Sequence, residues 1–291
     1  GCEYLVRVAM PGSVERIDEA AFFGCRNFNM IIPDTVKCIG YKAFHSCKRL
    51  DTPLPSQLTH LEQSAFVHTG LRKVTIPVNI TKIHSMTFEH CKYLEAVDIH
   101  GNVSRIELRA FGACKRLERI DIPRRVKSIG DDAFANCPML GSVTFEGDSK
   151  LETIGRGAFS NCDCLSEIEI PASVTHLKSR AFENCALRSV KFKTGSRLVD
   201  IDEETFAGCG ELLQINIPNT VMTIRNSAFA NCSQLFCVSI GDGSKLSTLG
   251  YVFFNCSPEL TISIPSSIRG LFTDDRLIIR KPRILARLEV R

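Results

Sequence analysis

The chain has 291 residues, of which 44% are hydrophobic and 23% charged, and its formal net charge at pH 7 is +4. No run approaches the roughly 18 consecutive apolar residues of a membrane helix, so the composition argues against membrane insertion. Positions 273–291 hold six basic residues against three acidic ones, so the remainder of the chain is nearly neutral. Nucleic-acid binding requires clustered Lys and Arg, which this body lacks.

One motif recurs along the chain: Ala-Phe, or a variant of it, followed by Cys three positions after the Phe. Successive phenylalanines are 22 to 25 residues apart. A fixed period sustained over the whole length predicts a solenoid, and therefore one elongated body rather than two domains. The phenylalanines of the motif are Phe22, Phe44, Phe66, Phe88, Phe111, Phe134, Phe159, Phe182, Phe206, Phe229 and Phe253.

The clearest unit reads CKRLERIDIPRRVKSIGDDAFANC. Ile120 and Ile122 alternate with polar residues, which predicts a strand with one buried face. Pro123 ends the strand, because proline cannot donate to an interior ladder. Val126 and Ile129 are three residues apart, which favours a turn or extended corner over a second regular strand. The Ala-Phe pair that follows is typical of a single helical or 3₁₀ turn.

A unit of this size cannot bury its own apolar side, so the units must stack. Parallel strands about 4.8 Å apart would make about 12 coils, some 55 Å in length. The units near Phe28 and Pro53 are shortened, and less regular strands are expected there. After Leu271 the repeat ends. We predict a solenoid over 1–272 and a C-terminal cap or tail over 273–291.

The unit resembles the leucine-rich repeat of the BspA-like type, L-x-x-I-x-[IL]-P-x-x-[LV]-x-x-I-G-x-x-A-F-x-x-C. The resemblance covers Cys2 to about Leu271 and includes the Ile-Pro corner, the Ile-Gly pair and the A-F-x-x-C closure. It implies a leucine-rich repeat solenoid, with a parallel β-sheet on one face and short strands, turns and 3₁₀ turns on the other. It also implies a cell-surface or secreted protein of bacteria or protozoa, often adhesive, with no shared catalytic residues.

The cysteines at the closing position of the unit form one set. In a solenoid they lie in a row with parallel Cβ vectors about 4.8 Å apart, which does not match disulfide geometry. Since free cysteine is among the most buried residue types, we predict a buried ladder of reduced thiols. Its members are Cys25, Cys47, Cys91, Cys114, Cys137, Cys162, Cys185, Cys209, Cys232 and Cys256, with Cys2 at the equivalent position before the first motif.

A metal site is the alternative for the cysteines. His90-Cys91, the pair His45 and Cys47, and the C-x-C that ends at Cys164 bring candidate ligands close in sequence. A structural zinc site normally joins two C-x-x-C or Cys/His hooks, and the chain has none. Nucleophilic catalysis would need a thiolate beside a base, and the histidines occupy different positions of their units. We therefore predict no metal, no cofactor and no enzymatic activity.

Recognition is predicted on the outward side of the main strands. The charges there are mixed, with an acidic bias in the middle of the chain, which favours a protein partner over nucleic acid or lipid. Two hypotheses remain open: an interaction scaffold, such as a cell-surface adhesin or host-matrix binding protein, and a structural spacer within a larger surface or secreted protein. A row of reduced thiols is more typical of a reducing space or an anaerobic habitat. The candidate binding residues are Arg72, Lys73, Asp98, Arg119, Asp121, Glu167, Glu169 and Lys191.

Overall fold

A computed structural model describes residues 2–100, 102–273, 278–280 and 284–290. The strands in chain order are β1 Arg16–Ile17, β2 Cys38–Ile39, β3 His60–Leu61, β4 Lys73–Ile76, β5 Lys82–Ile83, β6 Ala96–Ile99, β7 Arg105–Ile106, β8 Arg119–Ile122, β9 Ser128–Ile129, β10 Ser142–Phe145, β11 Thr153–Ile154 and β12 Glu167–Ile170. They continue with β13 His176–Leu177, β14 Ser189–Phe192, β15 Asp200–Ile201, β16 Gln214–Ile217, β17 Thr223–Ile224, β18 Cys237–Ile240, β19 Thr248–Leu249, β20 Thr261–Ile264, β21 Ile278–Arg280, β22 Ile284–Leu285 and β23 Arg287–Val290. One 3₁₀ helix spans Ser266–Leu271.

The predicted parallel-strand solenoid is confirmed, with about 11 turns rather than about 12. Four-residue strands form what we call the main sheet, in two parts of order β10-β8-β6-β4 and β12-β14-β16-β18-β20-β23. Two-residue strands form the second sheet, in parts of order β1-β2-β3 and β19-β17-β15-β13-β11-β9-β7-β5. Equivalent residues of successive units pair in register, as Ile120 does with Val143.

The main strands form where the alternation predicts them. In β8 the exposure pattern alternates, with Ile120 and Ile122 fully buried and Arg119 and Asp121 exposed. The short strands predicted for the second face are confirmed: the segment around Val126 and Ile129 contains β9, paired with β7 and β11, although the spacing of these two residues alone favoured a corner.

The Ile-Gly pair after a short strand reflects close packing between coils. A Cβ at Gly130 would lie 2.7 Å from the carbonyl carbon of Glu107 in the preceding coil. Atoms at that distance overlap, so a side chain would force the two coils apart. Glycine at this position therefore allows the backbones to approach.

The A-F-x-x-C segment is a pair of consecutive turns instead of the predicted helical turn. The N–H of Ala135 donates to the C=O of Asp132 three residues earlier, whereas the N–H of Phe134 donates to the C=O of Ala158 in the next coil, at 2.8 Å. Asp132 and Asn136 have φ of 52° and 59°, in the left-handed region. Because alternate N–H groups bond to the next coil, this segment joins neighbouring coils as a strand would.

The core is a stack of equivalent side chains. The rings of Phe111, Phe134 and Phe159 lie parallel with centroids 5.3 Å apart. The same stack begins at Phe22 and runs to Phe253. Each ring between the two ends of the stack is covered on both faces by its neighbours, so the interior is continuous along the solenoid.

Both sheets are interrupted. The main sheet begins only at β4, consistent with the shortened units near Phe28 and Pro53, and it divides between β10 and β12. At its other end β23, in the predicted tail, pairs in parallel with β20. The boundary after residue 272 stays a prediction, and positions 274–277 and 281–283 of the tail lie outside the described residues.

Candidate protein-binding face

The outward face of the main sheet carries polar side chains in fixed register. In the first part of the sheet Lys73, Ala96, Arg119 and Ser142 form one row across β4, β6, β8 and β10. Asp98 lies opposite Thr75 in the adjacent row. Strand pairing fixes these positions, so the face is a preorganised array of side chains.

The second part of the sheet continues the array after the division. Glu167 lies opposite Ser189, and Glu169 lies opposite Lys191. A carboxylate of Glu169 is also 3.6 Å from the ammonium of Lys193. Opposite charges alternate closely here, so this part of the face has no extended patch of one sign.

The predicted binding residues fall into two groups. Lys73, Asp98, Arg119 and Asp121 share the first part of the main sheet, and Glu167, Glu169 and Lys191 share the second. All seven are exposed. Arg72 lies just before β4, and its guanidinium is 3.8 Å from a carboxylate oxygen of Asp51.

A cleft lies where the main sheet divides. It has a volume of about 430 Å³ and is lined by Ser142, Glu167, Glu169 and Lys191 among others. In the segments that precede β10 and β12, the N–H of Cys164 donates to the C=O of Pro138 at 3.0 Å. Sequence reasoning missed this division, although the 25-residue spacing between the flanking phenylalanines is the longest in the chain.

The closing cysteines are buried, and each thiol from Cys47 onward donates to a backbone carbonyl. The Sγ of Cys137 lies 3.3 Å from the carbonyl oxygen of Phe111 in the preceding coil. Thr69 replaces cysteine in one coil, and its hydroxyl donates to Phe66 and contacts the Sγ of Cys91 at 3.2 Å. All fourteen cysteines are free thiols, and the ten of the predicted ladder are buried. The equivalent Sγ-to-phenylalanine-carbonyl contacts occur at Cys47, Cys91, Cys114, Cys162, Cys185, Cys209, Cys232 and Cys256.

Burial keeps these thiols protonated. Desolvation raises the pKa of Cys91 to about 11 and that of Cys47 and Cys256 to about 12. It raises the pKa of Cys114 and Cys162 well above the ordinary value as well. Since the thiolate is the nucleophile and the metal ligand, the ladder is suited to packing. The described residues hold no group of three or more His, Cys, Asp or Glu placed to bind a metal ion.

Three histidines come together, although the histidines were expected at different positions of their units. The rings of His68 and His90 stack with centroids 4.4 Å apart, and His45 meets His68 edge-on at 6.2 Å. The signal in the sequence is that His68 and His90 share one position of the A-F-x-x-C segment. The pKa of His68 is lowered, mainly by desolvation and next by the charge of His90. The cluster therefore favours the neutral form of the His68 ring.

The leucine-rich repeat model for the BspA type matches residues 1–114, 81–197 and 190–273, with 6 copies of the repeat. The chain belongs to the BspA-type leucine-rich repeat family. No curated protein sequence matches it. No helix among the described residues has the length and hydropathy needed to cross a membrane.

Several solved leucine-rich repeat structures are similar to this chain. A leucine-rich repeat protein from Bacteroides ovatus shares 23% identity with a TM-score of 0.59, and the match covers 100% of this chain and 85% of that one. A leucine-rich cell surface protein from Faecalibacterium prausnitzii shares 27% identity with a TM-score of 0.51, covering 96% and 77%. The first likeness shows the fold alone. The family is of the repeat-scaffold kind, without an established catalytic function.

Proposed function

We propose that the chain is a non-enzymatic scaffold that binds another protein through the outward face of the main sheet, and that it acts at the cell surface as an adhesin or host-matrix binding protein. The observation that carries this proposal is the fixed register of the side chains on that face. Rows such as Lys73, Ala96 and Arg119 present exposed side chains at fixed spacing on a backbone stiffened by stacking. A rigid array loses little conformational entropy on binding.

The charges on the face support a protein partner of mixed polarity. Arg119 and Lys191 lie among Asp98, Asp121 and the two glutamates of β12. Alternating signs over a protein-sized area favour electrostatic complementarity with another folded surface, which contributes to specificity and association rate. The proposed surface location is supported by family membership and by the similarity to the leucine-rich cell surface protein of Faecalibacterium prausnitzii.

A structural spacer is the second candidate, and local charge neutralisation favours it. The hydroxyl of Thr144 donates to the carboxylate of Asp121 on the same face, and Glu169 has Lys191 and Lys193 beside it. Side chains that already form hydrogen bonds or ion pairs with their neighbours contribute less to the binding of a partner. In a spacer, the face would tolerate charge changes without functional loss.

The test is comparative capture with three immobilised proteins. These are the wild type, the face variant Asp121→Lys/Glu167→Lys/Glu169→Lys, and a control with three acidic residues reversed elsewhere, Glu62→Lys/Asp163→Lys/Glu259→Lys. Each is incubated with an extract of host-cell surface proteins and with a bacterial lysate, and retained proteins are quantified by mass spectrometry.

If the scaffold proposal is right, the wild type and the control retain a set of proteins that the face variant retains at least about tenfold less. A tenfold difference corresponds to about 1.4 kcal/mol of binding free energy. Circular dichroism and thermal melting establish that all three proteins are folded. Identical retention by the three folded proteins would instead support the spacer.

A further inference from the structure

A depression of about 790 Å³ lies on the first coils, before the main sheet begins. Apolar side chains line it, and several are unusually exposed for their type: Ile31 at 78% and Val6 at 55%. Met30 and Val8 belong to the same lining. An exposed apolar surface inside a concavity is typical of a binding site, whereas scattered exposed residues are not.

The depression exists because two units are one residue too short to form a main strand. Four residues separate Phe28 from Pro33 and Leu50 from Pro55, whereas five separate Leu117 from Pro123. The segments before Pro33 and Pro55 are accordingly without strand structure. The solenoid continues past them through the second sheet and the Phe stack, so the outer layer alone is missing.

The missing strands leave β4 with an open edge. The C=O groups of Arg72 and Ile76 accept from the following coil, so the N–H and C=O of Lys73 and Thr75 point to the preceding one. Within the described part of the chain, the one hydrogen bond from 72–76 to that coil runs from the N–H of Arg72 to Oδ1 of Asp51. Unpaired strand edges are the groups that pair with an added extended segment.

The charges around the depression are nearly all positive. Arg7, Lys48, Arg49 and Arg72 line it, and Asp51 is the acidic residue of the lining. Arg72 is 3.8 Å from Asp51, whereas Arg7, Lys48 and Arg49 form no ion pair with any described residue. The depression therefore combines an apolar surface with unpaired cations, and the unpaired edge of β4 begins directly after Arg72 in its lining.

We propose that this depression binds an extended acidic peptide segment of a partner protein. Alternate side chains of an extended peptide point in opposite directions, so apolar residues reach the surface formed by Val6, Met30 and Ile31 while carboxylates meet the surrounding cations. The backbone lies along the open edge of β4. This inference does not depend on binding through the outward face of the main sheet, which begins where the depression ends.

Nucleic acid is a weaker match for the same cations. Single-stranded binding uses a basic groove with aromatic side chains on which the bases stack, and the lining here is mainly aliphatic, with Tyr93 its one aromatic residue. Four cations around one depression also differ from a charged stripe that follows a phosphate backbone. The aliphatic lining favours the peptide.

The chain offers a matched control for the test, because the sequence Cys-Lys-Arg-Leu occurs twice. Lys48 and Arg49 line the depression, whereas Lys115 and Arg116 hold the same positions of a later coil and do not line it. The variants Lys48→Glu/Arg49→Glu and Lys115→Glu/Arg116→Glu therefore change the net charge equally. The probe is a fluorescein-labelled ten-residue peptide of alternating Val and Glu, and binding to the 291-residue chain is measured by fluorescence anisotropy.

The proposal expects saturable binding by the wild type and by Lys115→Glu/Arg116→Glu, and at least about tenfold weaker binding by Lys48→Glu/Arg49→Glu, since two cation–carboxylate attractions become repulsions. A third variant, Ile31→Ser, should weaken binding without changing charge. Absence of saturable binding by the wild type, equal losses in both double variants, or equal binding of an alternating Val and Lys peptide would overturn it. Tighter binding of a labelled oligothymidylate than of the acidic peptide, lost in Lys48→Glu/Arg49→Glu, would assign the site to nucleic acid instead.

Discussion

The first three coils and the later coils share one interior but differ in their outer layer. Both have the Phe stack, with centroids 5.4 Å apart at Phe22 and Phe44 and 5.3 Å apart at Phe111 and Phe134. Both have short strands of the second sheet. Only the later coils carry main strands. Two early units are one residue too short to form one, and the first unit, in which five residues separate Leu5 from Pro11, has no main strand beside it to pair with. The interior therefore holds the solenoid together, and the main sheet is a separable layer that presents side chains.

The largest expected effect comes from removing one ring of the stack in each region. Phe44→Ala and Phe134→Ala should each lower the free energy of unfolding by about 3–5 kcal/mol, because a fully buried aromatic ring leaves a cavity. Equal losses, measured by chemical denaturation, would show that the interior is equivalent in the two regions. A loss at Phe44 below half that at Phe134 would show that the first coils contribute little to the cooperative unit.

The next largest effect is the loss of stability at alkaline pH, which tests the buried thiols. The folded pKa of Cys47 and Cys256 is about 12, above the value of about 8.5 for an unfolded chain. The folded state therefore holds protons that the unfolded state releases, so stability is full below pH 8.5 and falls as the pH rises toward 12. Cys47→Ala and Cys256→Ala should each reduce the slope of unfolding free energy against pH by about 1.4 kcal/mol per unit.

The control for the alkaline experiment is Cys164→Ala, which removes an exposed thiol outside the ladder. Its slope should match that of the wild type. Unchanged slopes in Cys47→Ala and Cys256→Ala would contradict the assignment of buried, protonated thiols to the ladder.

Restoring the missing residues tests the cause of the difference between the two regions. Replacing residues 29–32 and 51–54 each by Glu-Arg-Ile-Asp-Ile, the sequence of 118–122, should extend the main sheet by two strands. The gain in stability should be about 1 kcal/mol, since new strand pairs add backbone bonds but order more residues. Hydrogen exchange should slow at Lys73 and Thr75. Unchanged exchange there would mean that unit length is not the cause.

The smallest expected effect concerns the histidine cluster, which bridges the two regions. Burial lowers the pKa of His45 and His68, so the unfolded state binds their protons first and stability falls as the pH drops below about 6.5. His68→Asn/His90→Asn should reduce this acid-dependent loss, by less than about 1 kcal/mol because the rings are partly exposed. Asparagine suits the substitution because Asn136 and Asn161 already occupy the equivalent left-handed positions. An identical acid dependence in variant and wild type would exclude a contribution from the cluster.

Much of the fold follows from the sequence, because each unit repeats the same constraints. The alternation of Ile120 and Ile122 and the stop at Pro123 predict β8, and the shortened units near Phe28 and Pro53 predict irregular early strands. The Ala-Phe pair does not distinguish these turns from a helical turn, because Ala and Phe carry no signal for left-handed backbone. That signal lies two residues after the Phe, as in Asn136.

The candidate sites were less predictable, since they depend on neighbours 22 to 25 residues away. The exposed positions of β8 and β12 follow from alternation, but the division of the main sheet before Glu167 does not. Lys48 and Arg49 occur in the same Cys-Lys-Arg-Leu sequence as Lys115 and Arg116, so that sequence alone does not distinguish the two pairs. The placement of the first pair beside Ile31 becomes evident only once the missing outer strands are recognised.

The most direct test of the account is residue-resolved hydrogen exchange over the whole chain. We expect the amides of Phe44 and Phe66 to be as protected as those of Phe134 and Phe159, because all four donate to the next coil. We expect the amides of Met30, Ile31, Thr52 and Leu54 to exchange rapidly, because none of them donates to another described residue, while those of 120–122 are slow. Rapid exchange at Phe44 and Phe66, or strong protection at those four early amides, would contradict a continuous interior with an incomplete outer layer.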